Sequence, residues 1–500
     1  MYKPLTILAA VTSLSVGCVE ERRVPNPDFC TNANGDQTCA ELYPDGDRPY
    51  CVISACLNDF HGCFPFEPTA ECASPCGLSN EQSCEVGSSG SGSSGSDSSS
   101  GSSSEATGSE TSSSTTGPMP CRDNTDCAQV EAPYCSGDGE CVACDQATDA
   151  MEADAACEQA DAGLPVCEAG TCVECTEAAA EACDGTMPVC DPDTNSCVAC
   201  DEHSDCGEAA CNLFTGACLP AEAVVHVGPG QRFTSLNAAI DSFDAGAEGT
   251  IVVHQANYDE AATVDGERVL AFLANADDVP LWVLNGGGSP QLTVSNGTVL
   301  MEGIQMSGNA DDVGLLVDGG RTWVDRGRLI DNNGGGIVAQ NSAELVLRNC
   351  FVGQAVSNVD ALVVEGASAD VLYSTLTGAF NSAALRCVTP IALDVRNSIL
   401  VTEGGTPPDE VDCSMADITF SATEGSVAGD GNQGVGPFPS GMAETWFVGY
   451  GSGNYHLQND GPSSFEGIAQ WQVGDPIIDI DGDARPGTDG ASDYAGADVP

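Results

Sequence analysis

Glu302, Asp325, Arg348, Tyr373 and Arg396 recur at steps of 23, 23, 25 and 23 residues, one chemically capable side chain per step. If a regular fold stacks these positions at a rise of roughly 4.8 Å, close to the length of one sugar residue, they form a polar strip. Arginine bridges carboxylates bidentately and an aromatic ring stacks on a sugar face, so the strip offers non-covalent capture of an acidic glycan. The plainer reading is a solvated face whose opposite charges pair weakly from step to step. The adjoining positions Gly303, Arg326, Asn349, Ser374 and Asn397 read as a partial polar ladder at turns, with no chemistry of their own.

A second group is Asp479-Ile-Asp-Gly-Asp483, which sets Asp479, Asp481 and Asp483 at alternate positions as a Ca²⁺ loop does. Ala484 stands at the sixth position, where such a loop needs Gly, and Gly490 at the twelfth, where it needs Glu. Calcium on these three residues is one reading; pairing with Arg485 and capping of the last turn of the fold is the other. The five histidines, His61, His203, His226, His254 and His456, are scattered. The chain has no Gly-x-Ser-x-Gly, no Gly-x-x-x-x-Gly-Lys and no His-Glu-x-x-His, so the corresponding hydrolase, nucleotide and zinc-protease chemistries are excluded.

The 500 residues carry 75 Asp and Glu against 14 Lys and Arg, a formal charge of −61. Almost nothing could neutralise phosphates, so nucleic acid is excluded as a partner. The only lysine is Lys3, which removes lysine-base and Schiff-base chemistry from everything after it.

The elements that would position these residues start with a leader. Residues 1–17 have a cationic start at Lys3 and an apolar stretch from Leu5 to Val16, and Leu14-Ser15-Val16-Gly17-Cys18 fits a lipobox. Cleavage there makes Cys18 an acylated N-terminus, which tethers the protein to a membrane that it does not cross. Val19 stands at the next position, where an inner-membrane retention Asp would be, so resemblance to diderm lipoproteins implies the outer membrane or cell surface; an ordinary secretory signal with a free Cys18 is the alternative. In an oxidising compartment the cysteines are expected to form disulfides.

Eight cysteines lie between Cys30 and Cys84, in an expected disulfide-rich module over residues 18–86. Residues 87–120 are a Ser/Gly-rich linker that cannot bury enough to order itself and reads as a flexible stalk. Residues 121–220 repeat four times with four cysteines each: Cys121, Cys127, Cys135, Cys141; Cys144, Cys157, Cys167, Cys172; Cys175, Cys183, Cys190, Cys197; Cys200, Cys206, Cys211, Cys218. Shared Pro-Val-Cys segments and Cys-Val-Ala-Cys or Cys-Val-Glu-Cys junctions support the alignment. The region holds 22 acids and one arginine, too little apolar mass for a core, so the disulfides must be the fold, although sequence leaves their connectivity open. Zinc at the Cys-x-x-Cys junctions is the competing reading, weakened by His203 being the only imidazole there. The series resembles short Cys-rich repeats found in tandem in myxobacterial surface proteins.

Past Pro220 short aliphatic runs alternate with Gly, Asn and Asp turns. Met301, Val324, Leu347, Leu372 and Val395 step by 23, 23, 25 and 23, and Leu292, Leu315, Ile337, Leu362 and Leu385 by 23, 22, 25 and 23. Two strand registers sharing one period predict a parallel β-solenoid with both apolar columns inside. The opening segment, Val225 to Ile240 followed by Gly249 to His254 and Tyr258-Asp-Glu260, resembles that of right-handed parallel β-helix proteins of the pectin-lyase-like group. There a short amphipathic helix, here with the stripe Leu236, Ala239, Ile240 and Phe243, caps the open end. The closing segment, Asn454 to Leu457, Ile477 to Pro486 and Asp493 to Asp498, is similar to that of bacterial surface β-helix proteins.

The resemblance covers residues 222–500 and implies an all-β, right-handed parallel β-helix. It implies no activity, because this fold carries lyases, hydrolases, esterases and inert adhesins alike, and the polygalacturonase and pectin-esterase residue series are absent. The expected function is therefore a lipid-anchored surface protein whose β-helix binds or adheres to glycan or cell-envelope material without catalysis. A polysaccharide lyase or hydrolase, or a purely structural surface component, is the alternative.

Overall fold

The computed structural model describes residues 120–500 apart from positions 128, 277, 287, 354–357, 404–409, 437–442 and 459–460, together with the short paired strands Tyr50–Cys51 and Cys63–Phe64. The expected leader, the lipidated Cys18, most of the 18–86 module and the linker up to residue 119 lie outside the described residues.

Each Cys-rich unit closes on itself by the same rule, first cysteine to third and second to fourth. The bonds are Cys121–Cys135, Cys127–Cys141, Cys144–Cys167, Cys157–Cys172, Cys175–Cys190, Cys183–Cys197, Cys200–Cys211 and Cys206–Cys218. The third and fourth cysteines face each other across a two-stranded antiparallel hairpin, as Cys167 and Cys172 do, and bond back to the segment before it. All sixteen sulfurs are thereby used, and the Cys-x-x-Cys junctions merely join one unit to the next. A closed loop of about 15 residues contributes about 3 kcal/mol on the chain-entropy account, which replaces the core these units lack.

From Val224 the chain winds as a parallel solenoid of three sheets, with nine, nine and seven strands. One rung runs from Thr298–Glu302 in the first sheet through Gln305–Ser307 in the second to Leu315–Asp318 in the third, and Arg321–Asp325 then starts the next. Every strand pairs in parallel with its equivalent one rung on, so side chains at one position stack into columns. The column Leu292, Leu315, Ile337, Leu362, Leu385 is in register throughout and faces the core. The opening helix, Leu236–Ile240, buries Leu236, Ala239 and Ile240 against the first rungs. The Glu260 carboxylate accepts the Leu236 and Asn237 backbone N–H groups at 2.6 and 3.1 Å and so fixes that helix.

The other expected column is shifted by one residue in its fourth rung. Met301 stacks on Val324, Leu347, Val371 and Val395, and Leu372 instead stands beside Arg348 and Arg396 on the outer face. The run Val371-Leu372 is apolar at both parities, so alternation alone could not choose, and a slip of one flips every side chain to the other face. Tyr373 consequently occupies the corner after the strand. The corner residues Gly303, Arg326, Asn349, Tyr373, Asn397 and Phe420 all have φ between 45° and 71°, the left-handed turn that closes each rung. Ser374 belongs one position further in, where Cys350, Ser374 and Ser398 donate their backbone N–H groups to the Oγ of the next rung's serine at 3.1 Å.

The closing segment does not cap the last rung. The described residues of 443–500 turn back and cover the outside of the second sheet, where Trp446, Phe447, Tyr455 and Phe465 pack with Ile330, Phe351, Tyr373 and Ile399 in a second apolar core. Among the described residues no helix is long and apolar enough to cross a membrane.

Candidate functional site

The outer strip is Glu302, Asp325, Arg348, Leu372 and Arg396; Tyr373 leaves it and is fully buried. Its aromatic ring is stacked against the Arg485 guanidinium, 4.1 Å from the ring centre, and is not available to a sugar. The remaining charges are paired. Arg326 bonds Glu302, Arg348 Nε donates to Asp325 Oδ2 at 2.6 Å, and Arg396 donates to Asp475 at 2.7 Å. Burial works against charge on Arg348, but Asp325, Glu302 and Asp201 outweigh it and hold its pKa above the usual value.

The strip is also covered on two sides. From the last Cys-rich unit, Ala210 and Leu219 pack on Ala271 and Leu300 of the first sheet, and Phe214 meets Trp323 edge to face at 5.6 Å. The Ala210 N–H donates to Thr250 Oγ1 at 2.9 Å, pinning the unit to the second strand of that sheet. From the closing segment, Asn349 Nδ2 donates to Ile478 O at 3.1 Å and Asn397 Nδ2 to Gln470 O at 3.0 Å.

Between these two coverings lies a cavity of about 470 Å³, inside the roughly 300–1,000 Å³ range of small-molecule sites. His203 and Ser204 of the last repeat, Glu302, Asp325 and Arg348 of the sheet, Asn349 of the corner and Pro476 of the closing segment line it. His203 Nδ1 accepts the Cys211 N–H at 3.1 Å, so the ring proton sits on Nε2. That N–H has no hydrogen-bond partner, and Glu302 is 3.8 Å away. Burial holds the His203 pKa below its usual value, keeping the ring neutral, although Glu302 and Asp325 pull the other way. Asp325 Oδ1 and Asn349 Oδ1 are likewise buried without a partner. Exposures of 7% for His203, 6% for Asp325 and 1% for Asn349 make such orphaned groups costly unless something fills the cavity.

The three carboxylates proposed for calcium do not converge. Asp479 is buried and caps its own turn, with Oδ1 accepting the Asp481 and Asp483 N–H groups at 2.9 and 2.8 Å and Oδ2 accepting Val499 N–H at 2.8 Å. Asp481 points elsewhere, to Arg328 at 2.8 Å and His456 at 2.5 Å, and Asp483 is exposed. Arg485 pairs with Asp493 at 3.1 Å, away from that turn. His456, Asp481 and Asp498 do come together, their ligand-capable atoms all within 4.8 Å of one another. His226 and His254, read from sequence as packing residues, bond ring to ring at 3.0 Å across two rungs.

Sequence reasoning brought Glu302, Asp325 and Arg348 forward but missed His203 and Asn349 as cavity groups. The available signal for His203 was that it is the sole imidazole in 100 disulfide-rich residues, beside the Glu202 and Asp205 that form a capping box around it.

Residues 105–224 match the model of a family of unknown function (DUF8331). No curated protein matches the chain. Among solved structures it is similar to the pectin methylesterase from Aspergillus niger, at 12% identity and a TM-score of 0.31 over 44% of this chain and 83% of that one. It is also similar to pectin methylesterase PemA from Erwinia chrysanthemi, at 12% identity and a TM-score of 0.28 over 40% and 70%. The pectate lyase Pel9A is similar at 12% and 0.32 over 41% and 64%. Likeness at this level assigns no activity to the chain; the parallel solenoid stands on its own strand pairing.

Proposed function

We propose that the chain is an exported, lipid-anchored surface protein whose solenoid head binds a glycan or similar hydroxyl-rich envelope material without catalysis. The observation that carries the reading is the cavity, which presents one unpartnered N–H donor, His203 Nε2, and two unpartnered acceptors, Asp325 Oδ1 and Asn349 Oδ1. A hydroxyl both donates and accepts, so neighbouring hydroxyls of one sugar can satisfy all three. The acidic glycan expected from the strip gives way to a neutral one, because Arg348 and Arg396 already hold carboxylates of this chain. The disulfide content of residues 121–218 supports an oxidising, extracytoplasmic setting. Attachment through Cys18 rests on the lipobox.

The test is affinity electrophoresis of the exported protein through a panel of neutral and acidic polysaccharides, with ultraviolet absorbance followed for unsaturated products. Retention by neutral polysaccharide without product is expected. Retention by none overturns binding, and accumulation of product overturns the non-catalytic reading in favour of a lyase.

A further inference from the structure

His456 lies in the strand Asn454–Leu457, Asp481 in the turn that Asp479 caps, and Asp498 almost at the chain end, yet the three meet on the flank of the solenoid. Each is held by a neighbour that leaves one ligand atom free to point at the others. Asn454 Oδ1 accepts the His456 backbone N–H at 3.3 Å and also faces ring Nδ1. That oxygen cannot donate, so Nδ1 carries a proton and Nε2 is the ring atom that faces the two carboxylates. Arg328 holds Asp481 Oδ1 at 2.8 Å, and Leu457 N–H donates to Asp498 Oδ2 at 2.7 Å. Partners of this kind orient metal ligands and fix the imidazole tautomer.

His456 Nε2 and Asp481 Oδ2 are 2.5 Å apart, the separation of a hydrogen bond in which a second ring proton is shared with the carboxylate. Two ligands of one zinc ion, each about 2.0–2.2 Å from it, stand roughly 3 Å apart, so a metal would replace that proton and part the two atoms. A metal ion also uses the Asp498 carboxylate, which is 6% exposed and lies near Asp479 and Asp481, with His456 facing it.

We propose that His456 Nε2, Asp481 and Asp498 form a divalent metal site of the zinc class that fastens the closing segment to the solenoid. One imidazole and two carboxylates are zinc-type ligands, and three of them leave a fourth position for water. Calcium and magnesium prefer six or more oxygens, which this corner does not gather. Arg328 begins the solenoid strand Arg328–Ile330, so its bond to Asp481 links the site directly to a rung. The site shares only Asp481 with the calcium loop read from sequence.

The experiment is calorimetric titration of Zn²⁺ into the full chain, disulfides intact and previously treated with chelator, in excess Ca²⁺ to occupy weak acidic surface sites. One Zn²⁺ per chain is expected. His456→Ala and Asp498→Asn should each weaken it by about tenfold or more, while His254→Ala leaves it unchanged. Co²⁺ in place of Zn²⁺ on the unmodified chain should give a visible absorption band that Zn²⁺ displaces, a readout independent of whether any variant folds. Absence of a stoichiometric Zn²⁺, equal affinity in His456→Ala, or absence of the Co²⁺ band overturns the proposal.

Discussion

The Cys-rich repeats and the solenoid solve the same problem of holding short strands together, by opposite means. In residues 121–218 each two-stranded hairpin is fastened by two disulfides, and a buried cluster there consists of Ala153 and three cysteines, with Val130, Ala147, Leu164 and Cys167 partly buried against it. In residues 224–435 strands of similar length rely on stacked columns such as Met301, Val324, Leu347, Val371 and Val395, all buried, with a single disulfide, Cys387–Cys413. Covalent staples act mainly by restricting the unfolded chain, and packed columns act by removing apolar surface from water. One region should therefore respond to reductant and the other to cavities in its core. The candidate site lies where the two regions meet, so it should respond to both.

The largest effect should come from reduction. Dithiothreitol should open residues 121–218 to proteolysis while the solenoid keeps its β circular dichroism, and loss of both signals together would erase the contrast. Next, Leu347→Ala, at a fully buried position, should cost about 2–5 kcal/mol in thermal or denaturant unfolding while leaving the eight repeat disulfides intact by mass mapping. At the junction, Trp323→Ala should remove the edge-to-face contact with Phe214, worth about 0.5–1.5 kcal/mol beyond its area. Protease sensitivity should then rise in residues 200–218 first, and an unchanged cleavage order would argue against docking of the last repeat.

Acid should act at the same junction. The folded pKa of His203 is depressed by burial, so the unfolded chain binds its proton more readily. Stability from the neutral ring is complete above the unfolded value near 6.5 and declines as pH falls below it. Unfolding measured from pH 8 to 5 should show a drop that His203→Phe lessens, and identical profiles would remove His203 from that role. The smallest effect concerns Cys350, whose thiol is buried with its pKa pushed up to about 12. It should resist alkylation in the native protein and react only after unfolding.

Much of this division could be read from sequence, because each region writes its constraint into spacing. Four cysteines per unit is a count, and a 23-residue period is a count. The connectivity was not legible, since every pairing of four cysteines fits the same spacing, and even the hairpins that oppose Cys135 to Cys141 and its equivalents leave open which earlier cysteine each takes; the fold of the preceding segment decides it. The slip at Val371-Leu372 was hidden because both residues are apolar. The packing of residues 443–500 along the flank was hidden for another reason. An amphipathic closing segment reads the same whether it lies on the end of a solenoid or on its side, and only the outward apolar residues Ile330, Phe351 and Ile399 on neighbouring rungs decide between them. For the site, sequence supplied the sheet residues Glu302, Asp325 and Arg348 but not the lid, because His203 reaches them from about 100 residues away.

The central claim is that the junction cavity holds a hydroxyl-rich ligand through His203, Asp325 and Asn349. The most direct measurement is calorimetric affinity of the unmodified chain and of His203→Phe for the neutral polysaccharide that retains the protein. The account predicts a loss of about tenfold or more in the variant, the discrimination expected when a buried hydrogen-bonding group is removed, with both proteins carrying the same disulfides. Equal affinity in the two would contradict it.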